Sequence, residues 1–265
     1  MADRLRGLWD FSALDGSEAR LRAQLECEPD DAGRAEVLTQ LARVEGLRGR
    51  FAEAEALVAE AETHADESNI ARARVDLERG RILRSYGNPA AALPLFERAF
   101  QTALAAGQEF VAVDAAHMAA IAAEGDAAEA WTQRGIELAQ TSGEPGVDYW
   151  LGPLLNNLGW HRVEAGELEL ALVSFRGALE ARERDPGKPA QVEIARCAVA
   201  KVLRLLGRPR EALPLLEQAV AWTEMVGRPD GWFHEELAAC YAALGLEDDA
   251  REHAALAKSL LEATA

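Results

Sequence analysis

Cysteine is scarce in this 265-residue chain, and its three copies, Cys27, Cys197 and Cys240, lie far apart with no close pair. That spacing suits neither a zinc site nor a disulfide framework, so three reduced thiols are expected. Strand patterns are missing as well: Val, Ile and Thr in two-residue alternation are hard to find, while good helix formers dominate. Positive charge is short, with 28 basic against 45 acidic residues and a formal net charge of -17. A surface that negative repels phosphates and anionic lipid headgroups, which argues against nucleic-acid and membrane partners.

Long apolar runs are lacking too. The most apolar stretch, residues 110–123, is broken by Asp114 and His117 and is too short to cross a bilayer. The opening MADRLRGLWDFSALDG mixes both charge signs and has no apolar core of the kind a signal peptide needs, so an unexported, cytoplasmic protein is expected. No Walker-type loop, dinucleotide glycine fingerprint or His-Glu-x-x-His occurs, and the five histidines, His64, His117, His161, His234 and His253, are scattered. Neither catalysis nor a cofactor nor a metal is expected.

What the chain does have is a repeat. Related segments recur at spacings of 36 to 43 residues, and six copies placed in one frame align four columns of small residues. The first lies in a leading helix: Ala42, Gly80, Ala116, Gly159, Ala200 and Ala238. The second falls in the turn between helices: Gly49, Gly87, Ala123, Gly166, Gly207 and Gly245. The third opens the following helix with Ala54, Ala92, Ala128, Ala171, Ala212 and Ala250, and the fourth comes seven residues later with Ala61, Ala99, Gly135, Ala178, Ala219 and Ala257. Ala and Gly make up 75 of 265 residues, so full occupancy of all 24 places is not a product of composition.

The physical reason is close approach, because two helices joined by a tight turn cross where neither carries bulk. Glycine in the turn accepts the left-handed conformation that closes a helix. Asn88 can cap the next helix with Pro89 in its first turn, and Pro209 can serve likewise after Gly207. Upstream, residues 17–27 form a short amphipathic stretch with Leu21 and Leu25 on one face and Ser17 placed as an N-cap.

These columns resemble the tetratricopeptide repeat, most closely at Leu155, Leu158, Gly159, Ala171, Phe175 and Ala178, and again at Leu237, Ala238, Tyr241, Ala250 and Ala257. The chain departs from that pattern at Arg79, Thr132, Gly135 and Arg162, and its spacing lengthens around Trp150 and Pro186. The resemblance implies an all-α, right-handed superhelical solenoid of about six antiparallel helix pairs. Residues 1–30 would be an N-terminal capping segment and residues 31–265 a single continuous array.

In that family the leading helix of each pair lines a concave groove. One column there reads Arg43, Arg81, His117, Trp160, Lys201 and Ala239, and three residues on lie Arg84 and Arg204. Residues three apart share a helix face, so Arg81 with Arg84, and Lys201 with Arg204, should form two basic spots with Asn156 and Trp160 between them. Such a groove would draw an acidic peptide or protein segment through charge-assisted hydrogen bonds, with Trp160 as an apolar anchor. The basic residues can equally be solvated charges paired with neighbours such as Glu78. Trp222 and Trp232, flanking Arg228, Pro229 and Asp230, are expected to pack between the last two repeats. The resulting expectation is a scaffold for protein interaction, with a peptide- or metabolite-responsive regulator as the alternative, an enzyme as a third, and self-association open.

Overall fold

A computed structural model describes residues 3–65, 68–185 and 187–264, so Pro186 lies outside the described residues. Among these the chain is all helix, with thirteen α-helices, two short 3-10 turns and no strand. The helices fall into two compact units, Met1–Trp150 and Leu151–Ala265. The boundary lies inside the span that the repeat suggests is one array.

In the first unit, α1 (Leu14–Cys27) packs against α2 (Asp31–Leu47). Three antiparallel pairs follow: α2 with α3 (Phe51–Ala65), α4 (Asn69–Ser85) with α5 (Pro89–Ala105), and α6 (Glu109–Ala122) with α7 (Gly125–Thr141). A 3-10 turn, Val147–Trp150, closes the unit with Trp150 buried against Phe110 and His117. The second unit repeats the plan with α8 (Leu151–Glu164) on α9 (Leu168–Glu183), α10 (Pro189–Leu205) on α11 (Pro209–Met225), and α12 (Gly231–Ala243) on α13 (Glu247–Thr264).

Local chemistry starts and stops these helices. The side chains of Asp30, Ser68, Asn88 and Asp230 accept hydrogen bonds from first-turn amides of α2, α4, α5 and α12, and Pro89 and Pro209 sit in the first turns of α5 and α11. Five of the six turn positions are left-handed glycines with φ from 73 to 77°. After each of them the next N–H reaches back over the helix end, as from Arg50 to the Glu45 carbonyl at 2.9 Å. The third hairpin departs from this. Lacking a glycine, Ala123 is extended at the end of α6, and the positive φ moves to Gly125, the first residue of α7.

The eighteen helical members of the small-residue columns are all buried. Their size is matched to what crosses them. A Cβ on Gly80 would come within 2.5 Å of the Phe96 ring, and one on Gly159 within 2.6 Å of the Phe175 ring. At the same places in other pairs Ala42 accompanies Val58, and Ala200 accompanies Leu216, in their cores. Glycine thus appears where the partner helix presents phenylalanine.

Three of the four departures from the repeat pattern, Arg79, Thr132 and Arg162, have partners of their own. Arg79 makes a two-pronged ion pair with Glu62 at 3.0 and 2.8 Å, and buried Thr132 donates its hydroxyl to the Ala128 carbonyl. Arg162 reaches Ser174 Oγ at 2.7 Å and the Leu170 carbonyl at 3.1 Å. One expected cap is wrong: α1 begins at Leu14, so Ser17 lies inside it, fully buried, with its hydroxyl tied to the backbone of Asp10. A serine in the first turns serves equally well to tether the chain before the helix, and here the upstream turn took it.

Candidate functional site

The leading helices α2, α4 and α6 of the first unit bring Arg43, Arg81 and His117 onto one face, as their shared column implies. A carboxylate joins them. Asp114 accepts from Arg81 at 2.5 Å and from Arg43 at 3.2 Å, so a residue of α6 ties together α2 and α4. Arg81 also bonds Glu78 one turn back on its own helix. Burial alone would raise the Asp114 pKa, but the charges of Arg81 and Arg43 outweigh it and hold the carboxyl below its ordinary range. For Glu78 the balance is reversed. Its burial dominates over the nearby Arg81 and Arg43, and its pKa rises. His117 lies 5.3 Å from the Trp150 ring, while Arg84, at the end of α4, is exposed.

In the second unit Trp160 of α8, Lys201 and Arg204 of α10, and Trp232 of α12 form a second group. Glu236 of α12 bridges Lys201 at 2.5 Å and Arg204 at 2.8 Å. The Lys201 ammonium stands 5.7 Å from the Trp160 ring and 5.9 Å from the Trp232 ring, with the two indoles 6.5 Å apart. Trp160 meets Phe175 edge-on at 4.9 Å, which anchors its inner side in the core. Lys201 keeps 26% of its side chain exposed and Arg204 21%, whereas Glu236 keeps 5%. Asn156 lies half-buried one turn before Trp160 on the same helix.

Sequence reasoning thus located the cations but missed most of their acids. The signal was one register away. Three residues before the basic column stand Gln40, Glu78, Asp114, Asn157, Ala198 and Glu236, a position in which carboxylates meet arginines of the neighbouring leading helix. In the first unit Arg43 and Arg81 are thus matched by Asp114 and Glu78, whereas in the second Glu236 alone faces Lys201 and Arg204. Trp232 belongs to this face, while Trp222 is half-buried on α11.

Two other features complete the inventory. His234 is buried with its Nδ1 3.0 Å from Nδ1 of His253, and burial first, then the neighbouring imidazole, lowers its pKa. Among the described residues no group of three or more His, Cys, Asp or Glu side chains could hold a metal ion, and no helix is long and apolar enough to cross a membrane.

No family model matches the sequence, and no curated protein matches it. Solved structures do. The crystal structure of the APC/C hetero-tetramer Cut9-Hcn1 superposes with a TM-score of 0.62 at 12% identity, covering 95% of this chain and 46% of that one. The present chain thus spans less than half the length of that neighbour. Aspartyl phosphate phosphatase F from Bacillus subtilis gives 0.60 at 12% identity over 97% of this chain and 67% of that one. A Rap protein complexed with competence and sporulation factor gives 0.59 at 12% identity over 95% and 71%. Likeness at this identity is one of fold, and the fold is of the tetratricopeptide-repeat type, built from consecutive packed helix pairs.

Proposed function

We propose that this tetratricopeptide-type protein acts in the cytoplasm as an interaction module, holding a peptide or protein segment against the leading-helix face of its second unit. One observation carries the reading. Trp160 and Trp232, both half-buried, flank a Lys201 ammonium whose neighbour Arg204 shares a single buried carboxylate with it, which leaves the cluster with excess positive charge. Paired indoles offer rigid apolar contact at small entropic cost, and an uncompensated cation beside them favours an acidic side chain or a terminal carboxylate. Asn156 supplies an amide within the same helix face.

Binding of a partner also accords with a neighbour of the same fold, the Rap protein complexed with competence and sporulation factor. A second reading, a peptide- or metabolite-responsive regulator, draws on that neighbour and on the quorum sensor NprR from B. thuringiensis, with a TM-score of 0.54 at 12% identity.

The test is selection of peptides from a random display library on the intact chain, followed by titration against Trp160→Ala, Lys201→Met and Arg204→Gln. Selected peptides should combine acidic and apolar residues and bind each variant at least about tenfold more weakly, the loss of one anchoring contact. Unchanged affinity for all three variants, with helicity retained by circular dichroism, would overturn the proposal.

A further inference from the structure

The leading-helix face of the first unit is occupied by the chain's own N-terminal segment, residues 3–11. Asp3 pairs with Arg74 of α4. Arg4 reaches Glu28 at 2.6 Å and Glu36 of α2 at 3.3 Å. Leu5, only 1% exposed, drops into a pocket of Leu21, Val37, Leu41 and Val44. Trp9 donates its indole N–H to Gln40 at 3.0 Å, stacks on Phe11 at 4.8 Å, and both rings lie under the Arg43 guanidinium at 5.7 and 5.6 Å. The segment therefore runs along α2 and reaches both α4 and α6.

Its most specific contact is Arg6. The guanidinium lies 5.0 Å from the Phe110 ring of α6 and 4.9 Å from the Tyr149 ring, and its Nη1 donates to the Gly146 carbonyl at 2.7 Å, a contact across 140 residues of sequence. Gly146 has φ +85°, and a Cβ there would occupy the place of the Arg6 Nη1. Two rings, a carbonyl and a residue without a side chain together make a cage for a planar cation.

This differs from an ordinary structural arm in how it is held. Leu5 and the Asp3–Arg74 pair are buried, and Leu8 and Trp9 pack partly against the Leu5 pocket. Apart from these, the contacts are ion pairs, hydrogen bonds and ring contacts of Arg4, Arg6 and Trp9, side chains that stay partly in solvent and that a competing segment can replace one for one. We propose that the first unit is a guanidinium-reading peptide site kept filled in cis by residues 3–9. Its external ligand is a segment of the same chemistry: an arginine directly after a leucine, an acidic residue three before that arginine and a tryptophan three after it. This goes beyond the second-unit reading and uses none of its residues, so either can fail alone.

A tethered segment acts at an effective concentration of about 1 mM, so a peptide with an intrinsic Kd of about 10 μM would bind the intact chain about 100-fold more weakly than a chain whose own segment is disabled. The probe is a fluorescent synthetic peptide of residues 1–12, followed by anisotropy. The full chain carrying Arg6→Glu and Trp9→Ala should bind it at least tenfold more tightly than the unaltered chain does, and adding Tyr149→Ala should abolish that gain. Equal binding by the two chains, or no uptake by the folded double variant, overturns the proposal. Hydrogen exchange on the unaltered protein gives an answer that needs no variant. Amides of residues 5–9 should exchange at least about 100-fold faster than those of α4, because an occupant opens without unfolding what it covers. Protection equal to that of α4 would make the segment a fixed part of the fold.

Discussion

Replacing Gly159 by alanine sets two effects of known size against each other. In an ordinary helix interior the change gains about 1 kcal/mol, because glycine is the poorer helix former. Here the new methyl would meet three carbons of the Phe175 ring at 2.6, 2.7 and 2.8 Å. Phe175 has nowhere to retreat, being fully buried and held edge-on by Trp160 at 4.9 Å. Overpacking of this kind costs about 1–3 kcal/mol, so the net expectation for Gly159→Ala is a loss of about 1 kcal/mol. Phe175→Leu alone should lose about 1–2 kcal/mol through the space it leaves. Together the two recreate the Ala200 and Leu216 pairing that the chain already uses in α10 and α11. The double variant should therefore be less destabilised than the sum, with a coupling of about 2 kcal/mol. Since a repeat array need not unfold in one step, the readout is hydrogen exchange of amides in α8 and α9, with urea unfolding as a second measure. Additive losses, or a Gly159→Ala chain that is more stable than the original, would refute the size-matching argument.

Asp114→Ala leaves Arg43 without its carboxylate and Arg81 with Glu78 alone, and should cost about 3 kcal/mol in urea unfolding, the low end for a broken buried pair; a loss under about 1 kcal/mol would show that Asp114 does not tie the three leading helices together. Because Asp114 titrates below the ordinary carboxylate range when folded, its contribution is complete above about pH 4 and is lost as pH falls through the lower folded value. The stability gap between the unaltered chain and Asp114→Asn should narrow only in that acid window. His234 is held neutral by burial and by His253, so the stability it lends α12 and α13 is present above about pH 6.5 and declines as pH falls toward its depressed folded pKa. An NMR titration placing His234 at or above about 6.5 would contradict this. Of the three thiols, only exposed Cys27 should react promptly with a disulfide reagent in the native protein. Burial raises the pKa of both Cys197 and Cys240, and these should react only on unfolding.

Much of the fold is legible without coordinates. The columns of alanine and glycine, the turn glycines and the caps at Asn88 and Asp30 are local devices, each set by residues within a few positions or one repeat away. Even the exchange of Gly80 and Gly159 for alanine elsewhere is written beside Phe96 and Phe175, one helix on. The exceptions arise where two local solutions compete, as at Ser17, or where glycine is displaced by two residues, as at Ala123 and Gly125.

The candidate site was legible only in part. Helical period placed Arg43, Arg81, Trp160, Lys201 and Arg204 on leading-helix faces, because 3.6 residues per turn decides what shares a face. Which carboxylate neutralises each cation was decided by packing: Asp114 stands 71 residues from Arg43, and Glu236 stands 32 from Arg204. The same holds for Arg6 and the Gly146 carbonyl. Periodicity carries information along the chain at fixed short intervals, while charge and ring contacts depend on distance in space, which only the stacked helices set.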